Sequence, residues 1–328
     1  MNSRLVTLAA ALIGLLLFGY AVRQAGPGEI LDGIRRVGWG LVPILVLGGA
    51  RFLLRAESWR LCMPPAVRMP FGRAFSAFLA GDAVGNVTPL GPVASEPAKI
   101  FLTRHRLATT EAVSSLAIDN IVYAASVMTM VAAGSLVLLA AVPMPAVWQE
   151  AALFTLLGLM ASAAVGLRLM RGFWTGEKGV RPAWRERLFR LRASVLAFSA
   201  GHPARLWRVY LLHLGFHALT VVETYLTLRW LTGNESASVA QAIAFAALNR
   251  VVQVGFKFVP FLVGVDEASA GAFAPLLGVD LGSAVTLAVV RKIRVLFWTG
   301  TGLLLTAAHP ARAARATDRP GTEPAHRT

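Results

Sequence analysis

The chain has 328 residues, of which 56% are hydrophobic and 15% are charged, and its mean hydropathy is +0.61. Soluble domains carry about 25% charged residues, so this composition excludes a soluble globular protein and indicates an integral membrane protein. The net charge of +15 would suggest nucleic-acid binding in a soluble chain. In a membrane protein, cationic connections set the topology and contact anionic headgroups, so we predict membrane lipids, and no nucleic acid, as partners.

Apolar stretches close to the roughly 20 residues that span a bilayer recur along the chain. The predicted fold is an all-α polytopic membrane helix bundle with six to eight crossings. Two broken or re-entrant elements are predicted around residues 72–97 and 238–278, and their presence in both halves suggests an inverted repeat. The predicted spans are Leu5–Val22, Trp39 to about Glu57, Ala112–Ala141, Trp148–Leu169, Leu206–Leu231 and Leu281–Ala308.

We predict one transmembrane domain over residues 1–308, with halves 1–142 and 143–308, and a disordered polar tail over residues 309–328. The basic linker 168–208 joins elements of the second half.

Within this linker, Trp184 to Phe198 has the apolar spacing of an interfacial amphipathic helix. The positive-inside rule places the linker and the C-terminus in the cytoplasm. Frequent Arg, Ala and Gly favour a bacterial chain, hence a bacterial inner membrane.

Two polar interruptions break otherwise apolar segments. In each, a proline is followed seven residues later by a glutamate: Pro89 by Glu96, and Pro260 by Glu267. A bilayer tolerates such segments only where they face protein or a water-filled cavity. One in each half is the pattern of a transporter site built from broken helices. A polar residue lies three positions before each proline, Asn86 and Lys257.

A purely structural interpretation exists for the same residues. Pro97 suits the first turn of a helix, and Ser95 or Glu96 would then cap that helix. Asp266 and Ser269 allow the same interpretation for a short helix that follows the second break.

Cationic residues inside apolar segments form the second candidate group. Arginine binds phosphate through two parallel hydrogen bonds, so these residues predict a site for an anionic headgroup. The alternative is snorkelling to the interface, which we expect for Arg55 and Arg60, or pairing with acidic residues, which we weigh equally for Arg291 and Arg294. The predicted substrate-binding residues are Asn86, Glu96, Lys257, Asp266, Glu267, Arg51, Arg55, Arg250, Arg291 and Arg294.

Signs of catalysis or metal binding are weak. The single cysteine, Cys62, gives no disulfide or metal pattern. His213 and His217 have metal-compatible spacing, but no third ligand accompanies them, so a packed pair is favoured. Asp119 and Glu223 are candidates for polar contacts between helices. No phosphate-binding loop or catalytic arrangement is found, and we predict a protein without enzyme activity, cofactor or metal.

Four motifs in order resemble the lysylphosphatidylglycerol synthase transmembrane family, also described as flippase-like. They are Arg55-Ala56-Glu57-Ser58-Trp59-Arg60, the break from Asn86 to Lys99, Pro260 to Ala268, and Arg291 to Gly300. The resemblance implies that the chain moves a lipid between leaflets. Some members carry a soluble domain that attaches an amino acid to phosphatidylglycerol. This chain ends at Thr328, so the resemblance implies a stand-alone member that handles lipid without aminoacylating it.

The chain departs from the family pattern at both breaks. A single glycine, Gly264, replaces a glycine-rich run, and Asp266 is added. Pro92-Val93-Ala94-Ser95 replaces a motif that contains arginine. The cargo is therefore left open.

The leading hypothesis is binding or translocation of an amphipathic lipid with an anionic headgroup, held between the broken elements near Glu96 and Glu267. One alternative is a membrane scaffold that binds a lipid- or glycolipid-synthesis enzyme through the linker 168–208. Another is a secondary transporter of a small polar solute. A homo-oligomer is left open.

Overall fold

The structure is a computed structural model that describes residues 16, 18–88, 91–142, 144–171, 183–233, 237–257 and 259–317. These ranges contain helices and turns but no strand, which confirms the predicted all-α bundle. Most of the predicted first span, Leu5–Val22, lies outside the described residues, although residues 18–25 are helical. The helices are α1 Pro27–Val37, α2 Leu41–Cys62, α3 Phe71–Val87, α4 Gly91–Thr103, α5 Thr109–Ala141, α6 Ala146–Arg171, α7 Ala183–Gly201, α8 Pro203–Leu231, α9 Val239–Gly255, α10 Val265–Phe273 and α11 Leu281–Thr317.

Long apolar helices dominate the bundle. Among the described residues, four helical segments are long and apolar enough to cross a membrane: Pro27–Cys62, Thr109–Ala141, Ala146–Gly166 and Pro203–Leu231. Backbone groups inside a helix are bonded to one another, which is why hydrocarbon admits them. The total number of crossings stays a prediction.

The buried apolar clusters define two ends of the bundle. At one end, Trp59, Met69 and Leu107 pack where α2 and α4 finish and where α3 and α5 begin. At the other end, Leu231 and Leu277 pack near the finish of α8 and the start of α11. We call the end that contains Trp59 the first end and the end that contains Leu231 the second end.

Helices α3 and α4 form a hairpin that enters from the first end and returns to it. Glycines allow the close approach: a Cβ atom on Gly85 would lie 2.9 Å from the carbonyl oxygen of Gly91 and 2.9 Å from the Cβ of Ser95. This hairpin confirms the predicted break. However, Pro97 lies inside α4, so the predicted capping by Ser95 or Glu96 is wrong, because the helix begins at Gly91.

Helices α9 and α10 form a second hairpin, which enters from the second end. Its tip contains two residues in the left-handed region, Phe261 and Leu262, with φ of 52° and 53°, because the chain reverses there between the two helices. The tips of the two hairpins meet, and a Cβ atom on Gly91 would lie 3.9 Å from the carbonyl oxygen of Lys257. Helix α11 packs against both hairpins. Two hairpins from opposite ends have the arrangement that the suggested inverted repeat requires.

Two further predictions concern the linker and the tail. Helix α7 covers the predicted amphipathic segment, and Val195 and Phe198 pack against a buried cluster that contains Cys62 and Val209. Helix α11 continues to Thr317, past the predicted start of the tail at residue 309, and the disordered tail stays a prediction. Residues 318–328 lie outside the described part of the chain.

Candidate functional site

A glutamate on α8 joins three helices. Glu223 is 2% exposed, and its Oε2 accepts hydrogen bonds from Arg51 of α2 at 3.0 Å and from Arg294 of α11 at 2.6 Å. Its Oε1 is buried without a hydrogen-bond partner. One carboxylate oxygen of Glu223 therefore accepts hydrogen bonds from two guanidinium groups, and the other oxygen has no hydrogen-bond partner.

An aspartate on α5 forms a second polar centre. Asp119 Oδ1 accepts from Ser58 Oγ at 2.6 Å and from His213 Nε2 at 3.0 Å. Arg55 lies 3.5 Å from Asp119 Oδ2 and donates to His213 Nδ1 at 3.2 Å. Because Nδ1 accepts, the proton of the neutral imidazole is on Nε2, where Asp119 accepts it. Arg55 is buried and does not snorkel, so that prediction is wrong, because Asp119 and His213 give the guanidinium partners inside the bundle.

A third centre lies beside the second hairpin. Asp266 Oδ1 accepts hydrogen bonds from Asn249 Nδ2 and from Arg291 Nη1, the latter at 3.3 Å. Gln253 donates to Asn249 Oδ1 at 2.6 Å and accepts from Arg250 at 2.9 Å. This chain of bonds connects Arg250 of α9 to the carboxylate that Arg291 of α11 binds directly.

Two aromatic rings connect the three centres. Arg55 lies over the ring of Tyr123 at 4.1 Å, and Arg250 donates to the Tyr123 hydroxyl at 3.1 Å. Arg51 and Arg250 lie 4.5 Å and 5.5 Å from the centre of the Phe216 ring. Stacking on an aromatic face stabilises a desolvated guanidinium. We call the connected set the guanidinium cluster, which consists of Arg51, Arg55, Arg250, Arg291 and Arg294.

Several donors of this cluster are unused. Arg291 is 6% exposed, and its Nε and Nη2 atoms are buried without a hydrogen-bond partner, as is Nε of Arg51. Leaving a buried polar group without a partner costs about 1–3 kcal/mol, and more when it is charged. Anionic oxygen atoms are the acceptors that guanidinium groups bind best. The cluster therefore has the chemistry of an anion site.

The first hairpin places its polar residues beside the cluster. Asn86 donates to Asp82 at 3.3 Å and to Thr299 at 3.0 Å. Glu96 pairs with Lys99 of the same helix at 3.0 Å, and Lys99 lies over the Phe78 ring at 4.1 Å. Arg55 also approaches this hairpin, 5.2 Å from the centre of the Phe78 ring.

The second hairpin uses its glutamate differently. Glu267 is fully buried, and its Oε2 accepts from the backbone N–H of Gly264 at 2.8 Å, which closes the first turn of α10. Lys292 of α11 pairs with it at 3.0 Å. Lys257 is exposed beyond the end of α9. The glutamates of the two hairpins thus bind different lysines.

A family model described as Lysylphosphatidylglycerol synthase TM region matches residues 7–302. The chain belongs to this family. The match confirms the resemblance read from the four motifs and, together with the apolar helices, identifies a multi-pass membrane protein of a family related to lipid metabolism. No curated protein and no solved structure matches the chain.

For this member of the lysylphosphatidylglycerol synthase TM family, the structure brings six of the ten predicted site residues together. They are Arg51, Arg55, Arg250, Arg291, Arg294 and Asp266. The other four lie in or at the ends of the hairpins, outside the direct contacts of the cluster: Asn86, Glu96, Lys257 and Glu267.

Sequence reasoning missed the aromatic residues and the amides that connect the cluster. A signal existed for Tyr123, which follows Asp119 by four residues and so shares its helix face. Asn249 and Gln253 have the same spacing. Asp119 and Glu223 were predicted as polar contacts between helices, which they make. Within the described ranges, no group of three or more His, Cys, Asp or Glu residues could hold a metal ion.

Proposed function

We propose that this chain binds an amphipathic lipid with an anionic headgroup and moves it between the leaflets, with the headgroup held by the guanidinium cluster. One observation carries the proposal: Arg51 and Arg291 have unused, buried guanidinium N–H groups inside an apolar helix bundle. Charged side chains at membrane depth are costly and normally have a partner or a functional ligand. A phosphate group supplies the missing acceptors.

The two hairpins support a path for the headgroup. The cluster contacts the first hairpin through Arg55 over Phe78 and the second through Arg291 and Asp266. The hairpins enter from opposite ends, so each can shield the cluster from one side of the membrane. The acyl chains stay in the surrounding hydrocarbon. The chain has no phosphate-binding loop for a nucleotide, and transfer is passive or ion-coupled in this proposal.

The same proposal includes location and partners. We place the chain in a bacterial inner membrane, with the linker 168–208 and the C-terminus in the cytoplasm, because the linker is rich in arginine. Besides its lipid, a lipid-biosynthesis enzyme that binds the linker is a proposed partner.

Transfer of fluorescent lipids in proteoliposomes tests the function. Acyl-labelled phosphatidylglycerol and phosphatidylcholine report transfer through quenching of the outer leaflet by dithionite. We expect faster transfer of the anionic lipid. Arg291→Gln and Arg51→Gln should each slow it about tenfold, the effect of one charge-assisted hydrogen bond.

The matched control is Arg60→Gln. Arg60 pairs with Glu57 at the end of α2, outside the cluster, and its loss should leave transfer unchanged. If no lipid is transferred, or if the cluster variants behave like the control, the proposal is wrong. The alternative, a membrane scaffold for a lipid-synthesis enzyme, makes a different prediction. Arg291→Gln and Arg51→Gln would then keep function in the cell, whereas reversing the charges of the linker 168–208 would abolish it.

A further inference from the structure

The charges of the guanidinium cluster do not balance. Among the described residues that contact one another there, five arginines face three carboxylates, so positive charge exceeds negative charge by two. His213 is neutral, because its Nδ1 accepts from Arg55 and its Nε2 donates to Asp119. His217, hydrogen-bonded to Ser126 at 3.1 Å, is counted as neutral. The three carboxylates are Asp119, Glu223 and Asp266.

Charged groups on the neighbouring elements leave this excess unchanged. In the first hairpin, Asp82 and Glu96 face Lys99, which gives one negative charge. Beyond the end of α9, Lys257 contributes one positive charge near Tyr123. Beside the second hairpin, Lys292 and Glu267 cancel each other. When all of these groups are counted together, the negative charge of the first hairpin and the positive charge of Lys257 cancel, and the excess of two is unchanged.

The unused donors have the geometry of a phosphate site. Arg291 donates a hydrogen bond from Nη1 to Asp266, while its Nε and Nη2 atoms have no hydrogen-bond partner. These two atoms form one edge of the guanidinium group, which matches two oxygens of one phosphate. Arg51 adds a further unused Nε. Neighbouring donors from α2 and α11 thus favour an anion with several charged oxygens.

Uncompensated charge inside a membrane protein is strongly unfavourable. On the basis of the proposed function, we infer that the ligand of the guanidinium cluster carries two negative charges on phosphate, as a lipid phosphomonoester or a diphosphate diester does. A phosphodiester headgroup such as phosphatidylglycerol carries one and leaves one positive charge uncompensated. The charge excess thereby selects among anionic lipids.

Binding of lipids with matched acyl chains to the purified protein in neutral detergent tests the inference. The panel contains phosphatidic acid as the monoester, phosphatidylglycerol as the diester, phosphatidylcholine as the neutral lipid, and cytidine diphosphate diacylglycerol as the diphosphate diester. At pH 8 we expect the monoester to bind at least about tenfold more tightly than the diester. Comparison of the monoester with the diphosphate tells which doubly charged group is preferred.

Acidity supplies an internal control that needs no variant. The second ionisation of a phosphomonoester has a pKa of about 6, so the ratio of monoester affinity to diester affinity should fall toward one at pH 5. The diester, measured at each pH, corrects for changes in the charge of the protein itself.

Arg291→Gln lowers the charge excess to one and should reduce the preference for the monoester about tenfold. Arg291→Lys keeps the charge but loses the two-atom edge, and should retain part of the preference. Arg60→Gln should change nothing.

The outcomes separate the two proposals. Equal binding of monoester and diester, both reduced by Arg291→Gln, overturns this inference and leaves the proposed function intact. Binding of every anionic lipid no tighter than that of phosphatidylcholine overturns both.

Discussion

Single residues show why charge is tolerated inside this bundle. Arg51 and Arg294 share one oxygen of Glu223, and Arg55 has both Asp119 and His213. Each pairing involves residues far apart in the chain, so pairing is a tertiary property. Because removing one partner of a buried pair leaves an unpaired charge, these residues should be less replaceable than the paired charges at the surface.

The two hairpin glutamates give a matched prediction at this scale. Glu267 is fully buried against Lys292, whereas the Glu96 side chain is 29% exposed beside Lys99. We expect Glu267→Gln to lower the free energy of unfolding by about 3 kcal/mol. Glu96→Gln should lower it by less, because the Glu96 carboxylate is partly solvated and Lys99 keeps its contact with the Phe78 ring. Unfolding by denaturant in mixed micelles measures both. Equal losses would contradict the different roles assigned to the two carboxylates.

The hairpins explain how short, polar elements persist in an apolar chain. Their glycines let helices approach closely, and polar side chains at the tips find partners on α11, as Asn86 does with Thr299. A side chain placed at such a glycine must displace backbone, and overpacking of this kind costs about 1–3 kcal/mol.

Glycine substitutions test the packing of the first hairpin. Gly85→Ala should destabilise the protein by about 1–3 kcal/mol, because the new Cβ would lie 2.9 Å from the Gly91 carbonyl oxygen. Gly158→Ala on α6 is the control, since nothing lies within 4 Å of its added Cβ. The control should be neutral or stabilising by up to about 1 kcal/mol. Thermal unfolding of both variants gives the comparison, and a neutral Gly85→Ala would rule out the close hairpin.

At the scale of the whole molecule, two opposed hairpins enclose a cationic interior. The first end carries the Arg104–Arg106 turn and the start of α8, and the second end carries the α5–α6 connection. From the arginines at the first end, we predict that this end lies in the cytoplasm.

Cysteine labelling tests this orientation. In a Cys62→Ser background, His105→Cys at the first end should react with an impermeant maleimide only after the membrane is opened. Glu150→Cys near the second end should react in intact spheroplasts. Both positions are exposed. Reaction of both from the same side would refute the arrangement of two ends, and the reverse pattern would refute the cytoplasmic placement.

The sequence by itself determined the membrane class, the helical fold, the family and both chain breaks, because apolar run length and proline or glycine placement act locally. It also indicated the arginines, since a charge in an apolar run is conspicuous without a structure. Only the tertiary structure decided which of these charges are paired. The roles of Glu223 and Tyr123 depend on contacts between α2, α5, α8, α9 and α11, and spacing within one helix does not encode such contacts. The surplus of positive charge is visible only after that pairing, because it is the remainder once each carboxylate has taken its partners.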